Sequence, residues 1–135
     1  MVREITYNAK GNPVSLIGSM VSTGYPKFLL GHDSKNRLRV NIGAYERIPT
    51  YELAHQYVYD QQNRIIADSI FYFGQYDPAS LTLISGTSHA TFVVNFTYDN
   101  QHRITKSVNN RVDNMPYHYL TSSYFYNAAA MRIKL

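Results

Sequence analysis

The sequence predicts an all-β fold: an up-and-down antiparallel meander of about ten strands, built from five hairpin repeats and curled into a rolled sheet or barrel. Three observations predict it. Apolar and polar residues alternate over many short segments, a turn motif recurs along the chain, and 13 of the 135 residues are Tyr. Tyr is typical of strands, because its ring packs well on a half-buried pleated surface. Apart from one helical turn expected at 77–80, no segment has a helical period of useful length.

Length and composition limit the class of protein. A chain of 135 residues is expected to form one domain, 1–135, and its strand-like ends also fit a piece of a longer repeat protein. Its 44% hydrophobic and 16% charged residues exclude intrinsic disorder. The absence of Cys excludes disulfides, thiolate zinc sites and Cys nucleophiles. The sequence has no run of about 18 apolar residues, so a membrane-spanning helix is not predicted. It also has no apolar segment near its start that would predict a secretory signal.

Five copies of one turn motif are the strongest signal. Asp or Asn is expected to open a type I turn by accepting backbone N–H bonds. The residue three positions later must then enter the left-handed region, which Gly, Asn and His tolerate best. The turn residues so predicted are Asn8 with Gly11, Asp33 with Asn36, Asp60 with Asn63, and Asp99 with His102. In the fifth copy, at 126–133, Ala130 would need that conformation, so a longer or differently shaped turn is expected there.

The spacing of the copies predicts the layout of the sheet. Turns of the opposite edge are predicted at the Gly- and Pro-containing breakers, in 24–26, 48–50 and 114–116. The five repeat turns therefore share one edge. The interval between the third and fourth copies is the longest, so 75–89 is expected to form an irregular excursion or an additional pair of short segments. Alternation places Phe92 and Tyr98 on the same face of one strand.

The repeat resembles a known one. The segments at 59–65 (Tyr-Asp-x-x-Asn-Arg-Ile) and 98–104 (Tyr-Asp-x-x-His-Arg-Ile) resemble the YD repeats of bacterial Rhs-type and teneurin-type proteins. Residues 7–14 are similar to the variant found in uncharacterised bacterial surface lipoproteins with YD-like repeats and a porin-like curved β-sheet. The resemblance implies an exported or cell-surface protein. It supplies no catalytic residues, and five repeats are too few to enclose a toxin as Rhs-type arrays do.

No group of residues predicts catalysis, a cofactor or a metal. Asp33, Asp60 and Asp99 recur beside Arg37, Arg64 and Arg103, which is typical of capped turns with a local ion pair. A ladder of anion- or metal-binding loops is the alternative. Each loop offers one carboxylate, however, whereas Ca²⁺ takes about six or more oxygens. The five His residues lack the spacing of zinc ligands.

The leading functional hypothesis is therefore a non-catalytic β-scaffold that acts in binding or assembly. An alternative is a polysaccharide-active enzyme or carbohydrate-binding module with a Tyr-rich sheet face, for which the candidates are Tyr57, Tyr59, Tyr98, Tyr117 and Tyr119. A second alternative is a binder of single-stranded nucleic acid, from the net charge of +4 and the Tyr content. The lack of any block of like charges disfavours it. Expected partners are a second copy at the terminal edge strands and a glycan or peptide ligand.

Overall fold

The computed structural model describes residues 2–19, 26–45, 48–127 and 132–134. Within these ranges the chain forms strands and turns and no helix. The strands are β1 (Val2–Tyr7), β2 (Pro13–Gly18), β3 (Pro26–His32), β4 (Leu38–Tyr45), β5 (Thr50–Tyr59), β6 (Ile65–Asp77), β7 (Thr82–Leu83), β8 (Ala90–Tyr98), β9 (Ile104–Arg111), β10 (Tyr117–Tyr126) and β11 (Arg132–Lys134).

The strands form an antiparallel meander, as predicted. Their hydrogen-bonded order is β1-β2-β3-β4-β5-β6-β8-β9-β10-β11, and β7 pairs with β6 outside this path. Sequence neighbours are thus spatial neighbours almost throughout, which is what short hairpin connections produce. In the described part of the chain β1 and β11 have one partner each, so the path is open and the barrel alternative does not form.

The chain divides into two compact units, and β5 and β6 each contribute to both. The first comprises 1–56 and 70–90, and the second comprises 57–69 and 91–135. The first unit contains a buried core in which Val40 and Ile42 of β4 are fully inaccessible to solvent. Every second residue of β4 from Val40 to Ala44 is buried, and burying a Val or Ile side chain contributes about 1.5–3 kcal/mol. In the described part of the second unit, Ser122 alone is buried, so cross-strand pairs of half-buried side chains support that unit.

Four repeat turns have the same backbone geometry. The residues in the left-handed region are Gly11 (φ 82°), Asn36 (67°), Asn63 (63°) and His102 (62°), at the four positions where the motif required it. In the third copy, for example, the Asn63 N–H donates to the Asp60 carbonyl at 3.1 Å, which closes a four-residue turn. The Asp60 N–H donates to the Arg64 carbonyl at 2.9 Å, so the strands resume pairing directly after the bulge.

The remaining predicted turns have different outcomes. The fifth repeat turn, with Ala130, and residues 24–25 lie outside the described residues. The segment 75–89 combines the two alternatives: β6 continues to Asp77 and the two-residue β7 pairs back onto it, whereas 84–89 is irregular. The helical turn expected at 77–80 forms as one turn that does not continue, since its hydrogen bond joins residues four positions apart, as in an α-helix. A single hydrogen bond from Leu81 N to Asp77 O, at 2.8 Å, closes this turn, and Leu81 then adopts a left-handed φ of 54° and directs the chain into β7.

Substitutions at Asn63 test the turn geometry. We expect Asn63→Gly to leave the free energy of unfolding unchanged or slightly higher, because Gly adopts positive φ without a Cβ penalty. Asn63→Val should lower it by about 1 kcal/mol or more, because a β-branched side chain is strained at φ 63°. Urea unfolding of both variants measures the difference. Equal stabilities would contradict the assigned turn.

Candidate functional site

The Asp residues that recur in the motif are engaged inside their own turns. Asp33 Oδ1 accepts the backbone N–H groups of Lys35 and Arg37, both at 2.9 Å, and Oδ2 accepts the Arg37 Nε–H at 2.8 Å. Asn8 replaces the carboxylate in the first copy, where its Oδ1 accepts the backbone N–H of Lys10 at 2.9 Å. The three contacts of Asp33 recur, at 2.8–3.0 Å, at Asp60 with Gln62 and Arg64, and at Asp99 with Gln101 and Arg103.

These contacts determine the electrostatics of the turns. Hydrogen bonds from backbone N–H groups, first of all that of the following Arg, lower the pKa of Asp33, Asp60 and Asp99, although partial desolvation opposes this. A carboxylate held ionised by three donors is a turn cap and a poor general base. No group of three or more His, Asp or Glu side chains that could hold a metal ion occurs among the described residues.

Tyr and Arg side chains connect consecutive repeats. The Arg64 guanidinium lies over the Tyr98 ring, 4.5 Å from its centroid, and the Tyr98 hydroxyl donates to the Ile65 carbonyl at 2.5 Å. One repeat later, Arg103 lies 4.3 Å from the Tyr126 ring centroid, and the Tyr126 hydroxyl donates to the Ile104 carbonyl at 2.6 Å. The leading Tyr of one repeat is therefore bound to the turn of the repeat before it. The recurrence of Tyr and Arg at matching positions was the sequence signal for this contact.

The five Tyr residues proposed as a ligand face do not have one role. Tyr98 is held against the preceding turn, and Tyr57 and Tyr59 are half-buried in β5. Tyr117 and Tyr119 are exposed at the start of β10, with 47% and 60% of their surface accessible. Only these last two have the exposure that a ligand-binding ring needs.

An exposed aromatic cluster forms around these two residues. Phe92 of β8 meets Tyr117 and Tyr119 edge to face, with centroid distances of 6.2 and 5.8 Å. We call Phe92, Tyr117 and Tyr119 the aromatic cluster. Arg111 of β9 is opposite both Phe92 and Tyr117 in the strand register, so the cluster spans three strands. Sequence analysis missed Phe92 as a site residue, although alternation had placed it on the same face as Tyr98.

The ion pair of Arg111 with Asp113 supports the aromatic cluster. Arg111 Nε donates to Asp113 Oδ1 at 2.9 Å, and the Arg111 guanidinium carbon lies 6.0 Å from the Phe92 centroid. Asp113 also accepts the backbone N–H groups of Thr91 at 2.8 Å and Met115 at 3.0 Å. The Met115 N–H is the largest cause of a lowered pKa for Asp113, and the Asp113 carboxylate raises the pKa of Arg111. Arg111 is thereby held beside the rings as a permanent cation.

The first unit has a cavity of about 380 Å³ that no sequence signal predicted. It lies where β5, β6 and the segment after β7 meet, and its lining includes Tyr45, Glu52, Phe73, Gln75 and His89. These residues are far apart in the sequence and belong to no shared motif. Sequence alone had no basis for bringing them together.

Acid titration tests the role of the turn carboxylates. Because the folded pKa of Asp99 is lowered, its ionised form stabilises the fold above the unfolded value near 3.9, and this contribution is lost as pH falls through the folded value. Asp99→Asn keeps the capping oxygen, as in Asn8, but removes the charge. We expect a lower thermal midpoint at neutral pH and a smaller fall between about pH 6 and about pH 2.5. Asn8→Asp is the converse control and should steepen the fall. An unchanged acid dependence in Asp99→Asn would contradict this role.

Two comparisons with known proteins found no match, so function is inferred from the residues of this chain alone. No protein-family model matches the sequence, and no curated protein matches it. Among the described residues, no helix has the length and apolarity to cross a membrane. The resemblance to YD repeats therefore stays a prediction from the motif, whereas the all-β antiparallel meander is a finding.

Proposed function

We propose that this protein is a non-catalytic β-repeat scaffold of an exported or cell-surface bacterial protein, and that it acts by binding. One observation carries the binding role: the aromatic cluster presents Tyr117 and Tyr119 to solvent on a base of three paired strands. The recurring Asp and Arg residues are engaged inside their turns, which supports the aromatic cluster as the proposed binding surface. The export and the surface location rest on the YD-like motif.

The chemistry of the aromatic cluster favours a glycan as ligand. Tyr rings offer apolar faces that stack on sugar rings and hydroxyls that hydrogen-bond around them, and they lose little side-chain entropy on binding. Asp113 is held by Arg111, Thr91 and Met115, so it is not available as a general acid or base. Glycoside hydrolysis needs two carboxyl groups about 5–10 Å apart on either side of the bond. The cluster thus supports carbohydrate binding better than carbohydrate cleavage.

Assembly is a second candidate function, and the edge of β10 favours it. Residues 117–121 are all exposed, and β10 pairs with β9 along this stretch. Within the described residues β11 pairs with β10 only from Tyr124 onward. At the other end of the path, β1 exposes Ile5 and Tyr7. An unpaired strand edge recruits a further strand, so a second copy that brings its β1 to β10 would continue the sheet.

Affinity electrophoresis tests glycan binding. We expect soluble xylan, mixed-linkage β-glucan or solubilised peptidoglycan in the gel to retard the protein. Tyr119→Ala should weaken the retarding interaction by about fivefold, since one stacked ring contributes about 1 kcal/mol. Tyr7→Ala is the matched control, because Tyr7 is equally exposed at 59% but lies in β1, outside the aromatic cluster. Equal losses in the two variants, or no retardation by any of the three polysaccharides, would contradict the proposal.

Light scattering on a size-exclusion column tests assembly. The assembly candidate predicts a mass of two or more copies that rises with concentration. Leu120→Lys, which places a charge on the exposed edge of β10, should shift the protein to the monomer. Unfolding curves of the two proteins control for loss of fold. A monomeric wild-type protein at all concentrations would exclude this candidate.

A further inference from the structure

The cavity of the first unit is a second candidate site, separate from the aromatic cluster. It is a depression of about 380 Å³ that is widely open to solvent, and its volume is within the range of about 300–1,000 Å³ of small-molecule sites. Tyr45, Ile48 and Phe73 supply apolar wall, and Glu52, Gln75 and His89 supply polar groups. Such a mixture of apolar wall and few polar groups is typical of pockets that orient a small ligand.

A β-bulge places Glu52 in the cavity wall. In the register of β4 with β5, Gly43 is opposite Leu53 and Ala44 is opposite Tyr51, so Glu52 is the extra residue of β5. Bulges change the direction of a side chain and occur frequently beside functional sites. Glu52 is exposed and belongs to the cavity lining.

A second irregularity places Phe73 there as well. The His89 N–H donates to the carbonyls of both Tyr72, at 2.8 Å, and Phe73, at 3.2 Å, so two residues of β6 share one partner. Phe73 has a φ of 52° and is 55% exposed. A large aromatic residue is strained in the left-handed region, and a folded protein retains such strain mainly where it has a use. Exposure of the ring means that burial does not compensate for the strain.

Strand pairing places Glu52 of β5 opposite Phe73 of β6. Tyr76 N of β6 donates to Pro49 O, which directly precedes β5, at 3.1 Å. Counting three residues along each antiparallel strand from that hydrogen bond reaches Glu52 on β5 and Phe73 on β6. The carboxylate and the aromatic ring therefore come from neighbouring positions of adjacent strands, and both line the same cavity.

The floor of the cavity is preformed. Tyr51 is 3% exposed and lies so close to Gly74 that a Cβ at this position would be 2.3 Å from the Tyr51 hydroxyl oxygen. The Tyr51 hydroxyl hydrogen-bonds the side chains of Thr87 and Ser88. The Thr87 hydroxyl in turn accepts the Gln75 N–H at 3.0 Å. The segment after β7 is thus connected to β5 and β6, and a ligand would meet a built site.

The charge of the lining indicates the ligand. Among the described residues that line the cavity, Glu52 supplies a carboxylate, and Tyr45 and Phe73 supply aromatic rings. Aromatic faces and a carboxylate together are the groups that recognise organic cations, since the negative face of each ring attracts the positive charge. We infer that this cavity binds a small organic ammonium ion, with Glu52 as its counter-ion and Phe73 and Tyr45 as its aromatic wall.

Calorimetric titration with choline tests this inference. We expect choline to bind at concentrations below about 50 mM, and its uncharged isostere 3,3-dimethyl-1-butanol to bind about tenfold more weakly or not at all. Lysine amide and glucosamine then distinguish a peptide-like from a sugar-like source of the ammonium group. Glu52→Gln should weaken choline binding by about tenfold, whereas Glu4→Gln, an exposed carboxylate in β1, should leave it unchanged. Equal binding of choline and its isostere, or no binding of choline, lysine amide and glucosamine, would overturn the inference.

Phe73→Gly separates the ring's function from its role in the fold. Gly tolerates φ 52°, so the thermal midpoint should stay the same or rise while choline binding is lost. A folded Phe73→Gly protein that binds choline like the wild type would overturn the role of the ring. Tyr119→Ala should bind choline normally, because Tyr119 belongs to the aromatic cluster of the second unit. Failure of this inference is therefore distinguishable from failure of glycan binding.

Discussion

The hydrogen bonds of one Asp or Asn side-chain oxygen in each of the four described repeat turns are the interaction on which the sheet depends. In the third copy, Asp60 Oδ1 accepts the N–H groups of Gln62 and Arg64, at 2.8 and 3.0 Å, and Asn63 takes the left-handed conformation that lets the strands pair again. This turn sets the register of β5 with β6. Because side chains alternate along a strand, a register error of one residue would turn every apolar side chain to the wrong face. Turn geometry thus controls which residues are buried.

Arg side chains extend this local constraint to the next repeat. Arg64 binds Asp60 through Nε and covers the ring of Tyr98, which donates its hydroxyl to the Ile65 carbonyl. Its Nη1 also lies 3.2 Å from Nδ1 of His102, in the adjacent turn. Each contact alone adds little to the free energy of unfolding, since exposed ion pairs contribute about 0–1 kcal/mol. Repeated from turn to turn, they align one edge of a unit in which few residues are fully buried.

The two surfaces proposed to bind ligands lie where the repeat pattern is interrupted. The aromatic cluster is next to Asp113, whose carboxylate closes an irregular turn between β9 and β10. The cavity of the first unit lies beside the bulges at Glu52 and Phe73. Regular hairpins pair their own backbone polar groups and leave few of them available to a ligand. Irregular positions change the direction of side chains, and that is why both candidate sites occur there.

The sequence by itself determined the four described repeat hairpins, because each depends on residues within one turn: Asp60 and Asn63 are three positions apart and hydrogen-bond each other. It also determined the all-β class, through alternation and the absence of helical periods. The tertiary structure decided which Tyr residues are exposed and which support the fold, since the partner of Tyr98 is 33 residues away. It likewise decided that Phe73 is left-handed and that Glu52 lines a cavity. These features arise from pairing between distant strands, which local propensity does not encode.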